Sequence, residues 1–304
     1  MTAVDSAAAP AAAVQVALAP HEGLARQALR RFMRNRLAIV GVVILGIVFF
    51  IAIGLPLLVS LNPLKTDYGA IRAAPSWTHL LGGDLSGRDV LARVVYGTQV
   101  SLLVGFGAVA VYVTIGTILG IIAGFAGGVL DQLIMRITDV MLSIPTLLLV
   151  IVFVSIVGPS LQSVIAVIGL LGWPITTRLI RGQLLTLRES EFITAARTIG
   201  VRDRAIAARH LLPNVVGPLT VVATFGVAEA ILLEASLSFL GLGVRPPTSS
   251  LGEMINEARA PSTLQGLPWI WLPAGIMIAM IVLAVNFVGD GLRDALDPRS
   301  SRRG

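Results

Sequence analysis

Two glutamates, Glu229 and Glu234, stand inside an otherwise apolar run from about Val215 to Leu242. An ionised carboxylate in hydrocarbon is costly, so each must face a bundle interior, a partner or water. Five residues apart, they lie about 140° apart around a helix and do not share a face, so they can do different jobs. One or both can line a path through a membrane and meet the charged end of a solute. The alternative is a structural hydrogen bond between helices or, for Glu234, simple nearness to the outer interface; one of these is the reading preferred for Glu234, which stands nearer the following loop. Asn286, in the last apolar run, is a third polar candidate for such a path or for an interhelical hydrogen bond.

Other chemistry finds no residues to carry it. A phosphate-cradling loop needs G-x-x-x-x-G-K-[S/T], and the single lysine among 23 basic residues, Lys65, follows Leu64. ATP, if it drives this chain, binds to another polypeptide. There is no cysteine, and His21, His79 and His210 are dispersed. No H-E-x-x-H metal motif and no G-x-S-x-G elbow occurs. We expect no catalytic residue, no metal and no cofactor bound by this chain.

The elements that hold the glutamates follow from composition. Of 304 residues, 55% are hydrophobic and only 13% charged, against roughly 25% charged in soluble domains, and the mean hydropathy is +0.86. Lipid must solvate much of this surface. A helix crosses the hydrocarbon with roughly 20 apolar residues, which predicts six spans: Leu37–Leu61, Val100–Phe125, Ile137–Val157, Leu161–Thr177, Val215–Leu242 and Trp269–Gly289. Trp173-Pro174 interrupts the fourth. The fold class is therefore an all-α integral membrane protein. Gly116, Gly120 and Gly124 form a small-residue series in the second span, suited to close packing within the chain or against a second subunit. Asp139 is expected to pair with Arg136, its i−3 neighbour, and Trp269 and Trp271 fit an interfacial belt.

Orientation comes from the basic residues. With the N-terminus inside, segments 1–36, 126–136, 178–214 and 290–304 hold 17 of the 23 and the outer loops 62–99 and 243–268 hold 6. Both termini are thus expected to be cytoplasmic. Residues 1–25 read as a flexible tail, 26–299 as the membrane domain and 300–304 as a second tail. The cluster Arg26, Arg30, Arg31, Arg34 and Arg36 precedes an apolar run too long for an ordinary signal peptide and reads as an uncleaved anchor. The basic balance points to membrane lipid and not to nucleic acid. In the outer loop, Arg88–Gln99 is expected to form an interfacial helix with Val90, Leu91, Val94 and Val95 on its apolar side. It shields the bundle or offers a docking surface.

The most charged segment is 178–214. Its signals describe two short helices, one through Ala195 and Ala196 that stops at Gly200 and one capped by Asp203 and ended by Pro213. The residues alone leave two readings: a rigid knob that enters a groove on a partner, or an amphipathic pair lying on the bilayer.

Thr194-Ala195-Ala196, Gly200 and Leu211-Leu212-Pro213 resemble the EAA motif of ABC importer permeases, with Thr194 where that family has Glu. The run His79 to Gly97, the stretch Glu229 to Gly243 followed by Pro246-Pro247, and Asp139 to Pro145 are similar to blocks of the dipeptide/oligopeptide (peptide/nickel) group, in the order of its C-type permease. The resemblance spans about residues 25–299. It implies the type I ABC importer permease fold in a bacterial cytoplasmic membrane. It implies an ATPase-coupling surface at Glu191, Thr194, Ala195, Ala196, Arg197, Gly200, Val201, Asp203, Leu212 and Pro213. It also implies a homologous B-type permease, two cytoplasmic ABC ATPase domains that hold ATP and Mg, and an extracytoplasmic substrate-binding protein. The cargo implied is a di- or oligopeptide. Nickel complexes, glutathione and other small solutes are the alternatives, and an ion-coupled secondary transporter is the rival mechanism.

Overall fold

The computed structural model describes residues 24–190, 193, 198, 212–245 and 247–296, with the side chains of residues 24, 25, 212 and 213 excepted. Five helices are long and apolar enough to span a membrane, and a bent pair makes a sixth span if counted as one. Among the described residues there is no sheet, only isolated bridges pairing Thr66 with Arg88 and Gly83 with Asp89 in the outer loop.

A short helix, α1 (Leu24–Phe32), leads into the first span. There α2 (Arg36–Phe49) begins on Asn35, whose side chain accepts from the backbone N–H of Leu37 and Ala38. A π-helical turn at Phe50–Gly54 and α3 (Leu55–Leu58) complete it. Within that turn the Ala52 carbonyl accepts from Gln99 Nε2 at 2.5 Å, which ties the first span to the second.

The second span is α4 (Val90–Ala126), capped by Asp89, whose side chain accepts from the Ala92 N–H. Its 37 residues measure about 55 Å, well beyond a hydrocarbon core of about 30 Å. The stub Val90–Gln99 therefore continues the span outward. The amphipathic interfacial helix expected there is not what forms: Val90, Ala92, Arg93, Val94, Val95 and Gly97 are all buried, because the loop before α4 and the segment 249–257 pack over the stub.

The third span is not straight. Helix α5 (Gly128–Leu142) meets α6 (Thr146–Val157) at 89°, because Pro145 at the junction cannot donate to the preceding turn. The fourth span behaves oppositely. Although Trp173-Pro174 was expected to interrupt it, α7 (Leu161–Leu171) and α8 (Trp173–Arg188) run on as one 28-residue span, because Pro174 falls in the first turn of α8, where no N–H is needed. Residues 178–188, assigned from sequence to the cytoplasmic loop, are thus the end of a span helix.

The fifth span is α9 (Leu212–Phe239). Two short outer helices follow, α10 (Leu251–Glu257) and α11 (Pro261–Gly266), and then α12 (Pro268–Leu296). The central α4 packs on α7, α8 and α9. Many large apolar side chains, including Val43, Ile47, Val152 and Ile156, stay exposed, as a lipid-facing surface requires.

The glycine series works within the chain. A Cβ on Gly116, Gly120 or Gly124 would approach the Cβ of Thr176, Ile180 or Leu184 to 2.5, 2.7 or 2.9 Å. Helices α4 and α8 therefore lie backbone to backbone, and Thr177 Oγ1 donates to the Gly116 carbonyl at 3.2 Å.

Candidate functional site

The two glutamates of α9 have opposite surroundings. Glu234 is fully buried. Ser238 Oγ donates to its Oε1 at 2.7 Å and Ser101 Oγ, from α4, to its Oε2 at 3.1 Å. It forms a hydrogen-bonded joint between two helices. Glu229 is exposed and lines a cavity of about 200 Å³. Around it stand Met141 and Thr146 beside the α5–α6 bend, Pro174, Ile175 and Thr176 at the start of α8, and Tyr112 of α4. Asn286 is half-buried on α12 and does not line this cavity.

Tyr112 is seated by two glycines. A Cβ on Gly172 would stand 2.8 Å from the ring, and one on Gly226 would fall 1.5 Å from its hydroxyl oxygen. Gly226 lies one turn before Glu229, so the same face of α9 receives the phenol and presents the carboxylate. The result is an apolar chamber with a phenol and a carboxylate, suited to a small organic solute carrying a positive end.

Helix α8 connects this chamber to the end of the bundle where the basic segment 189–211 begins. It is about 24 Å long. One end lines the chamber and the other leads into the segment bearing the EAA-like residues. Arg181 holds Asp131 of α5 in a two-pronged pair at 2.5 and 2.7 Å. Arg178 Nη2 donates to Asp139 Oδ1 at 2.6 Å, so Asp139 pairs across helices and not with Arg136 as expected. Helix α5 is thereby clamped to α8. Of the motif segment, Glu191, Thr194, Ala195, Ala196, Arg197, Gly200, Val201 and Asp203 lie outside the described residues. Leu212 and Pro213 form the first turn of α9. Ile193 is buried against Ile180 and Leu184 of α8 and Val215 of α9.

Sequence reasoning missed the outer end. Arg93, on the α4 stub, is fully buried. Its Nη1 donates to Asp84 Oδ2 at 2.6 Å and Glu257 Oε2 at 2.5 Å, and its Nη2 to Glu253 Oε2 at 2.9 Å. Arg88 joins through Asp84 and Glu257, both at 2.7 Å. Burial pushes the Glu253 carboxyl up, against the pull of Arg93. The cluster locks the loop before α4 to α10, far along the chain. Beside it, His79 Nδ1 pairs with Asp89 Oδ2 at 2.9 Å, and Nε2 with Asp67 Oδ2 at 3.4 Å. The Asp89 hydrogen bond is the main cause that raises the His79 pKa, while the Gly69 N–H and then His79 hold Asp67 below the usual carboxylate range. The only signal in the sequence was an unusual density of charge around Asp84–Arg93.

Comparison with known proteins identifies the chain's relatives. Residues 116–302 match the family model described as the binding-protein-dependent transport system inner membrane component. Residues 23–75 match the N-terminal transmembrane domain of oligopeptide transport permease C. A Brucella ovis protein provisionally named a peptide permease is 45% identical over 277 residues, 91% of each chain. The dipeptide transport system permease protein DppC of Alkalihalophilus pseudofirmus is 44% identical over 274 residues, 90% of each chain. The oligopeptide transport system permease protein OppC of Mycobacterium bovis is 40% identical over 285 residues, 91% of this chain and 96% of that one.

Proposed function

The chain belongs to the binding-protein-dependent transport system inner membrane components, and from that premise we propose that it forms half of the membrane path of an ATP-driven importer of di- or oligopeptides. The observation that carries this reading is similarity to dipeptide and oligopeptide permeases along nine-tenths of the chain. The single lysine has no P-loop context, so ATP hydrolysis falls to partner subunits. A homologous permease completes the path, two ATPase domains with ATP and Mg act from the cytoplasm, and a binding protein delivers cargo from outside. The membrane is the bacterial inner membrane, with both termini cytoplasmic, as the basic-residue bias supports.

The path runs past Glu229. The carboxylate meets the α-amino end of a peptide, and the apolar wall tolerates varied side chains. Coupling passes through the segment from Glu191 to Asp203, which docks on an ATPase domain. Closure of the ATPase pair pushes that segment, and α8, zipped to α4 and clamped to α5, moves the chamber wall as a rigid rod between two packed states.

A deletion strain supplied with this gene and its partners tests the reading through uptake of labelled di- and oligopeptides. Restored uptake that needs ATP, with crosslinks from Ala196 or Gly200 to an ATPase subunit, is the expected result. Peptide uptake indifferent to the gene, or crosslinks to phospholipid alone, overturns it.

A further inference from the structure

The segment before the first span has three distinct faces. Around α1, Arg26, Gln27, Arg30 and Arg31 occupy one half of the helix and Ala28, Leu29, Phe32 and Met33 the other, as the helical period dictates. The apolar half divides again. Phe32 packs on α12, where a Cβ on Gly291 would come within 3.1 Å of its ring, and Asn35 Nδ2 donates to Asp294 Oδ2 at 3.1 Å. Leu29 and Met33 are instead 62% and 59% exposed, and they continue into exposed Leu37 and Val40 on the flank of the span. On the basic half, Gln27, Arg30, Arg31 and Arg34 together line a shallow depression, with Arg26, Arg30 and Arg34 exposed.

A docked helix whose uncovered apolar strip merges with the lipid-facing side of a span, and whose arginines gather beside that strip, lies at the level of headgroups. Guanidinium groups pair with phosphate through two parallel hydrogen bonds. We propose that α1 and the turn after it form a binding site for anionic phospholipid headgroups, with the phosphodiester held in the Gln27–Arg30–Arg31–Arg34 depression and an acyl chain along Leu29, Met33 and Leu37. An acidic protein surface would use the arginines but leave the apolar strip uncovered, so lipid is the occupant favoured. The site does not depend on which solute the transporter carries.

The test titrates the purified, assembled transporter with phosphatidylglycerol and with phosphatidylcholine and counts retained lipid by native mass spectrometry. The wild type is expected to prefer phosphatidylglycerol. Removing three surface cations in R26Q/R30Q/R34Q is expected to weaken phosphatidylglycerol binding on the order of a hundredfold, to weaken retention of phosphatidylcholine, whose phosphate charge is offset by choline, far less, and to be reversed in part by R26K/R30K/R34K, which restore charge but not the paired hydrogen bonds. Should the triple variant fail to assemble, R30Q alone is expected to give about a fivefold loss. Equal retention of the two lipids, or unchanged phosphatidylglycerol affinity in R30Q or the triple variant, overturns the proposal. So does displacement of the lipid by inorganic phosphate, which marks a free-phosphate site, or loss of an ATPase subunit with lipid binding intact, which marks a protein contact.

Discussion

The outer end of the bundle and the Glu229 chamber treat charge in opposite ways. At that end, Asp84, Glu253 and Glu257 close around Arg93, and the chain folds over them until the guanidinium is sealed from water. A little deeper, Glu234 is likewise sealed, between two serines. Five residues earlier on the same helix, Glu229 stands exposed in a cavity next to a phenol. The lesson is that a charged residue in a membrane helix acquires its meaning from its surroundings. Satisfied partners make it a fastening, and an open cavity leaves it available to a solute, the role proposed for Glu229.

The strongest way to break the contrast is to remove the outer cation. Arg93→Met leaves Glu253 without a cation and Asp84 and Glu257 to Arg88 alone, and loss of one partner from a buried ion cluster costs about 3–5 kcal/mol. The expected outcome is a steep fall in the yield and thermal midpoint of the assembled transporter, read by size-exclusion fluorescence. An unchanged midpoint would show that the cluster is decoration. Next comes Gly226→Ala, where the new methyl meets the Tyr112 hydroxyl. Overpacking of this kind costs about 1–3 kcal/mol, and Tyr112→Phe, which removes the obstructing oxygen, is expected to restore part of the lost midpoint. A third, Glu234→Ala, strands two serine hydroxyls and is expected to lower stability by about 1–3 kcal/mol. Glu229→Gln is expected to leave the midpoint within about 0.5 kcal/mol while cutting peptide uptake.

The smallest effect concerns pH. The His79 pKa is raised above its ordinary 6.5, so its pairing with Asp89 and Asp67 stabilises the folded loop fully below pH 6.5 and is lost as pH rises through the raised value. Asp67, lowered from 3.8, stabilises above pH 3.8 and loses its contribution as pH falls through the lowered value. Between those limits both contributions are present. Hydrogen exchange in residues 67–89, corrected for intrinsic rates, is expected to quicken modestly above pH 6.5 in the wild type and to lose that dependence in His79→Gln. The same dependence in both chains would assign it elsewhere.

Much of this was legible in the sequence, and the failures are instructive. The spans announced themselves because twenty apolar residues have few other uses. The two prolines were harder, since Pro145 and Pro174 look alike in a string of letters. One sits where a helix would need its N–H and bends the chain, while the other sits in a first turn where none is needed. The pairing of Asp139 with Arg178 and the meeting of Arg93 with Glu253 and Glu257 were invisible because the partners are 39, 160 and 164 residues apart. Local spacing reports only neighbours along a helix. For the same reason Glu229 and Glu234 could be separated by angle but not assigned surroundings until α4, α6 and α8 were in place around them.

The contrast rests on one claim, that the chamber wall moves with the ATPase cycle while the outer lock stays closed. Because this chain has no cysteine, cysteine pairs introduced into it label defined positions in a transporter assembled with cysteine-free partners, one pair at Thr146 and Val222 lining the chamber and one at Ser86 and Arg259 beside the lock. On ATP binding, the chamber distance is expected to shift by several ångströms while the lock distance holds. A chamber distance that ignores nucleotide, or a lock that opens in its place, would contradict the account.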